Sequence, residues 1–128
     1  MKKFLPILVS VLLLTACGQA EEKDQEAVYQ NITAEEAKAI MDTASGYIIL
    51  DVREQAEYNE SHIPGAMLLP LGEVEERAEG VLTDKNQLLL VYCRSGRRSK
   101  MAAEILVKLG YTNIMEFGGI LDWPYEVE

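Results

Sequence analysis

The 128-residue chain is poor in the side chains that hold metals or cross-link a fold. It carries a single histidine, His62, and two cysteines, Cys17 and Cys93. Past residue 17 that leaves one histidine and one cysteine, too few for a zinc-ligand set, so no metal is expected. The two cysteines form no C-x-x-C pair, which argues against a disulfide oxidoreductase. Basic residues are also scarce, 12 against 21 acidic ones, for a net charge of -9. Such a surface repels nucleic acid and anionic lipid head groups, so no nucleic-acid partner is expected. There is no internal repeat, and the length fits one domain with a modest core.

Long apolar runs are absent too. The most apolar stretch, Phe4 to Leu14, is too short to span a bilayer. Preceded by Lys2 and Lys3, residues 1–16 read as a targeting signal rather than structure. Leu14-Thr15-Ala16-Cys17 resembles the bacterial lipoprotein signal, which implies a lipidated Cys17 as mature N-terminus and an extracytoplasmic, membrane-anchored protein. Gly18 to Ala27 lacks apolar periodicity and reads as a flexible tether of about 35 Å when extended. The domain proper is then expected over 28–128.

What is present in abundance is positive charge in one place. Cys93-Arg94-Ser95-Gly96-Arg97-Arg98-Ser99 puts three arginines within five residues of a cysteine, in an acidic chain. Leu88 to Tyr92 before it is a short apolar run, as expected for a strand buried on both faces. After it, Met101, Ala102, Ile105, Leu106 and Leu109 recur at helical spacing opposite Lys100, Glu104 and Lys108. Gly110 falls where a helix C-terminal cap belongs. The stretch therefore reads as strand, tight turn, helix start, with the thiol at the strand's carboxyl end, where open α/β sheets place ligands. Amides converging in such a turn, a helix N-terminus and Arg94, Arg97 and Arg98 all favour an exposed thiolate beside an anion site. The other readings of these residues are a buried structural cysteine and arginines that simply pair with carboxylates.

The stretch resembles the six-residue active-site loop of the rhodanese-like sulfurtransferases, here Cys93 to Arg98. Asp51-Val52-Arg53, His62-Ile63-Pro64-Gly65-Ala66 and Gly118-Gly119-Ile120-Leu121-Asp122-Trp123 match further pieces in the family's order. The resemblance implies a mostly parallel five-stranded α/β sheet with helices on both faces. It also implies a sulfurtransferase in which Cys93 takes sulfane sulfur from a small anionic donor such as thiosulfate and passes it to a thiol or cyanide, with no cofactor. Substrate contacts would come from Arg94, Ser95, Gly96, Arg97, Arg98 and Ser99. Asp51 and Arg53 would support the loop, although an aspartate after a strand also commonly caps the following helix, here Glu54 to Tyr58. A Cys–His pair with His62 is disfavoured because the family's loop activates its cysteine with backbone donors and positive charge. Two rivals remain. One is a non-catalytic binding module of the same fold. The other is a cysteine phosphatase, whose loop places arginine six positions after the cysteine, where this chain has Ser99.

The remaining segments fill in the sheet. Val28 to Ile32 is expected as a strand, and Thr33 with Glu36 as a capping box opening a helix to about Asp42, with Ala37, Ile40 and Met41 inward. Tyr47 to Asp51 and Ala66 to Leu69 read as strands, Leu71 to Val81 as a surface helix and Asn113 to Phe117 as a fifth strand. Gly118-Gly119 is expected as a flexible turn, and Trp123 as cover for the core.

Overall fold

A computed structural model describes residues 28–128. The expected lipoprotein signal, Cys17 and the expected tether lie outside them. The strands are β1 (Gln30–Asn31), β2 (Tyr47–Asp51), β3 (Met67–Leu68), β4 (Leu88–Cys93) and β5 (Ile114–Gly119). They form one sheet in the order β1-β5-β4-β2-β3, and every neighbouring pair is parallel. Parallel neighbours need crossovers, which α1 (Ala34–Thr43), α2 (Gln55–Glu60), α3 (Leu71–Val81) and α4 (Arg97–Lys108) supply.

The apolar run of β4 hides a period of two. Leu89, Val91 and Cys93 join the core built with Val74 and Ala78 of α3 and Ala102, Ala103 and Leu106 of α4. Leu90 and Tyr92 join the opposite core, with Ala37 of α1, Phe117 and Trp123. Helices thus cover both faces, and the central strand is apolar throughout because neither face meets water. The chain moves outward from β2 to β3 and then returns past β2 to β4, so direction reverses at the β2–β4 boundary. Ligand crevices of open α/β sheets lie at the carboxyl ends of strands beside such a reversal, and Asp51 and Cys93 end these two strands.

Local signals account for most element ends. Thr33 Oγ1 accepts from the Glu36 amide and Glu36 accepts from the Thr33 amide, the expected capping box. Gly110, just past α4, has φ +95°, a left-handed stop that glycine takes without strain. Other expectations need correcting. The edge strands β1 and β3 are two residues each, shorter than the expected Val28–Ile32 and Ala66–Leu69, because each pairs on one side only. Met101 is exposed, since it precedes the buried stripe of Ala102, Ala103 and Leu106 by part of a turn. Asp51 does not cap α2; Glu54 holds the N-cap position, and its amide donates to Glu57. Gly118-Gly119 is no free turn but the end of β5.

Candidate active site

Cys93 is the last residue of β4, and α4 begins at Arg97. The turn between them is made possible by Gly96, whose φ of +101° would strain any other residue. The Gly96 amide donates to Cys93 Sγ at 3.0 Å, and the amides of Ser95 and Ser99 also reach the sulfur. Ser99 is the third residue of α4, so its amide is one of the helix's unpaired donors. No acidic side chain occupies the first turn, and Gly96 offers no capping side chain. The sulfur of Cys93 therefore takes the place of a capping oxygen, at the positive end of a 12-residue helix. Burial works against the thiolate, but the Ser99 hydroxyl and the amides of Ser99, Gly96 and Ser95 outweigh it and lower the thiol's pKa. The expected exposure is not found: Cys93 is 1% exposed, on the floor of the loop, while Arg94, Ser95 and Arg97 form its exposed rim.

The three arginines have different surroundings. Arg98 makes a two-pronged ion pair with Glu57, at 2.6 and 2.9 Å, which ties the loop to α2. That contact holds the Glu57 carboxyl down to about 2, through the Arg98 hydrogen bonds and despite partial burial. Arg94 and Arg97 are exposed and make no ion pair among the described residues. They are the cations left to meet an anion from solvent.

The loop rests on β5. A methyl group built on Gly119 would lie 1.9 Å from the Arg94 carbonyl oxygen, so only glycine lets the loop descend this far. The Leu121 amide donates to that same carbonyl. Pairing between β4 and β5 slips here: Val91 opposes Glu116 and Cys93 opposes Gly119, one residue more on β5 than on β4. Such a bulge re-aims side chains at a site.

Asp51 and Arg53 do not touch the loop directly. Arg53 Nε and Nη2 donate to the Asp51 carboxylate, at 2.7 Å for the shortest contact, and both residues are buried. Tyr92 Oη donates to Asp51 Oδ2 at 2.6 Å and accepts from the Ile63 amide. Arg53 also donates to the Ser61 carbonyl. The cluster thus fixes Tyr92, the residue before Cys93, and the Ser61–Ile63 segment. Burial and the neighbouring Asp51 push the Tyr92 phenol up, so it stays a neutral donor. His62 is placed elsewhere, stacked on Tyr58 at 3.8 Å with its Nε2 on Glu128.

Sequence reasoning missed Glu116. It is 2% exposed in β5, yet it accepts from the Ser99 hydroxyl at 2.6 Å and the Gly118 amide at 2.8 Å. A signal for it exists: one carboxylate inside the apolar run Ile114 to Phe117.

Residues 33–125 match the family described as Rhodanese-like domain, and the chain belongs to that family. It is 44% identical over 73 residues to the thiosulfate sulfurtransferase PspE of Escherichia coli, covering 57% of this chain and 70% of PspE. A candidate sulfur carrier protein of Bacillus subtilis, YrkF, is 37% identical over 112 residues, 87% of this chain but 60% of YrkF. Among solved structures, an E. coli rhodanese with anions aligns with a TM-score of 0.60 at 39% identity, over 64% of this chain and 96% of that one. A rhodanese-related protein of Thermoplasma volcanium gives 0.68 at 29% identity, over 78% and 98%.

Proposed function

We propose that the protein is a sulfurtransferase that carries sulfane sulfur on Cys93. The observation that carries this reading is the set of three amides, from Ser95, Gly96 and Ser99, turned onto one sulfur at a helix N-terminus. It agrees with the names of the relatives, PspE a thiosulfate sulfurtransferase and YrkF a candidate sulfur carrier. The Cys93 thiolate attacks the outer sulfur of a small anionic donor, with thiosulfate the donor of choice. A sulfur–sulfur bond forms to Cys93 as the bond to the sulfonate sulfur breaks, and sulfite leaves with that electron pair. The product is an anionic Cys93 persulfide, and no net oxidation occurs. A thiolate or cyanide then takes the outer sulfur and returns Cys93 as thiolate, splitting one transfer into two displacements.

The roles divide by surroundings. Arg94 and Arg97, free of carboxylates, draw and orient the donor. The amides hold negative charge as it moves onto the outer sulfur, as an oxyanion hole does. Ser99, fully buried, contributes its amide and hydroxyl from below. Arg98, held by Glu57, keeps the loop's shape. Because Cys93 lies on the loop floor, the donor approaches between the rim residues along one direction, which selects a slender terminal sulfur.

Mass spectrometry after thiosulfate treatment tests the proposal. Cys93 should gain one sulfur atom with release of one sulfite, and Cys93→Ser should gain none. An unmodified Cys93 after thiosulfate, polysulfide and low-molecular-weight persulfides would overturn it. We further propose that Cys17 is lipidated and anchors the domain on the outer side of a membrane. Labelled fatty acid should enter the full chain expressed in bacteria and not its Cys17→Ser variant; equal labelling of both sinks the anchor.

A further inference from the structure

We propose that Cys93 and Glu116 share one proton through the Ser99 hydroxyl, so that the reactive thiolate forms by proton transfer inside the protein rather than by loss to solvent. The geometry is a continuous chain. Cys93 Sγ donates to Ser99 Oγ at 3.4 Å, and Ser99 Oγ donates to Glu116 Oε1 at 2.6 Å. Ser99 has one proton. Its other acceptors, the carbonyls of Gly96 and Gly118, lie further away at 3.0 and 3.3 Å. Glu116 Oε1 sits directly beneath the loop, 3.7 Å from where a methyl group on Gly96 would be.

A sulfur anion gains from the Ser99 hydroxyl only when that hydroxyl turns its proton toward it. Glu116 Oε1 then keeps the Gly118 amide at 2.8 Å but loses the hydroxyl donor and faces an oxygen lone pair, a contact that is favourable only if the carboxyl carries a proton. Glu116 has no lysine or arginine within ion-pair distance among the described residues, and it is 2% exposed. Its carboxylate and the Cys93 sulfur lie no more than about 6 Å apart, a range at which two anions strongly disfavour each other. Two acids so coupled lose their protons in two separated steps that belong to the pair.

The transfer is balanced. The S–H bond of Cys93 breaks as its proton passes to Ser99 Oγ, and the Ser99 proton passes to Glu116 Oε1. Thiol plus carboxylate becomes thiolate plus carboxylic acid, with no change in net charge or oxidation state. Among the described residues, Tyr29 beside β1 lies near Glu116 and Glu104 of α4, Arg98 lies near Cys93, Glu57 and Glu54, and Arg94 and Arg97 stand on the loop rim. Burial and the nearby Glu104 and Glu116 raise the Tyr29 phenol, so it remains neutral where the pair titrates. The inference rests on Cys93 as the reacting group but on no particular sulfur donor.

The test uses infrared difference spectroscopy of the reduced full-length protein at neutral pH, with no donor present. The wild type should show the carbonyl band of one protonated carboxyl group. Alkylating Cys93 with iodoacetamide removes its negative charge, so Glu116 should ionise and the band should vanish. Glu116→Gln should lack the band and form its thiolate in one steep step, where the wild type spreads thiolate formation over two. A wild-type spectrum without the band, or with a band that alkylation leaves intact, overturns the proposal even if Glu116→Gln does not fold. A persulfide can still form on Cys93 in that event, so the two proposals fail separately.

Discussion

Two buried carboxylates flank the central strand, and they differ in one respect. Asp51 at the end of β2 and Glu116 in β5 lie on either side of β4, and each receives a hydroxyl proton that bears on consecutive β4 residues. Asp51 accepts from the Tyr92 hydroxyl, whereas Glu116 accepts from that of Ser99, which in turn meets Cys93. Asp51 has the Arg53 guanidinium across it, and burial of that guanidinium is more than offset by the Asp51 carboxylate, so its pKa rises further. Glu116 has no such cation. A buried charge with a hydrogen-bonded counter-ion is fixed in place, while a buried carboxylate without one stays cheap only as long as a proton is near. One side of β4 is therefore architecture, and the other bears on the reactive sulfur.

Breaking the architectural side should have the largest effect on stability. Asp51→Asn leaves the Arg53 guanidinium buried without its counter-charge and weakens the contact to Tyr92. Removing one partner of such a pair costs about 3–5 kcal/mol, readable as a lower midpoint in urea unfolding. The thiolate titration of the folded variant should match the wild type, because Asp51 acts on Tyr92 and not on the loop amides. A loss below about 1 kcal/mol would mean that the pair behaves as a surface one, and the contrast with Glu116 would fail.

The support under the loop gives a smaller and more local effect. Gly119→Ala places a methyl group where the Arg94 carbonyl now sits, so the loop must rise or β5 must sink. Overpacking of this kind costs about 1–3 kcal/mol. The more telling readout is the thiol. Lifting Arg94 and Ser95 takes amides away from the sulfur, so thiolate formation should move up toward that of an ordinary cysteine. An unchanged thiolate titration in a folded Gly119→Ala protein would show that the amides do not depend on the glycine beneath them.

The sheet was legible because its signals are local. The apolar runs of β2 and β4, the Thr33–Glu36 box and Gly110 each state their role within a few residues, and the cysteine–arginine cluster marks its own loop. What could not be read depends on pairing between distant segments. Arg94, Arg97 and Arg98 look alike in the sequence, and only the packing of α2 against the loop gives Arg98 alone a carboxylate. Gly118-Gly119 has the composition of a turn, yet it is strand because the loop needs a floor without side chains. Asp51 has the composition of a helix cap, but Arg53 two residues on and Tyr92 on the adjacent strand claim it first. Glu116 went unread because a glutamate in a short apolar strand looks like an edge position until β4 and β1 are seen on either side of it.

The Arg98–Glu57 pair lies between the two extremes, and its effect should be the smallest and confined to acid. Its side chains are 29% and 28% exposed, neither dry like Asp51 and Arg53 nor free. The Arg98 hydrogen bonds, helped by the Glu54 amide and working against partial burial, leave Glu57 at about 2 where 4.5 is ordinary. A carboxyl group depressed in the folded state stabilises it fully above its ordinary value, and that contribution is lost as pH falls from 4.5 toward 2. Solvent screening at this exposure limits the amount to about 1 kcal/mol. Urea unfolding at a series of acid pH values should show the wild type losing that increment across this window, and Glu57→Gln should lack it. Above that window Glu57 is charged in both states. A Glu57→Gln protein whose thiolate titration shifts as far as that of Gly119→Ala would therefore show that Arg98 sets the amides over the sulfur, and would move this pair from the architectural side of β4 to the chemical one.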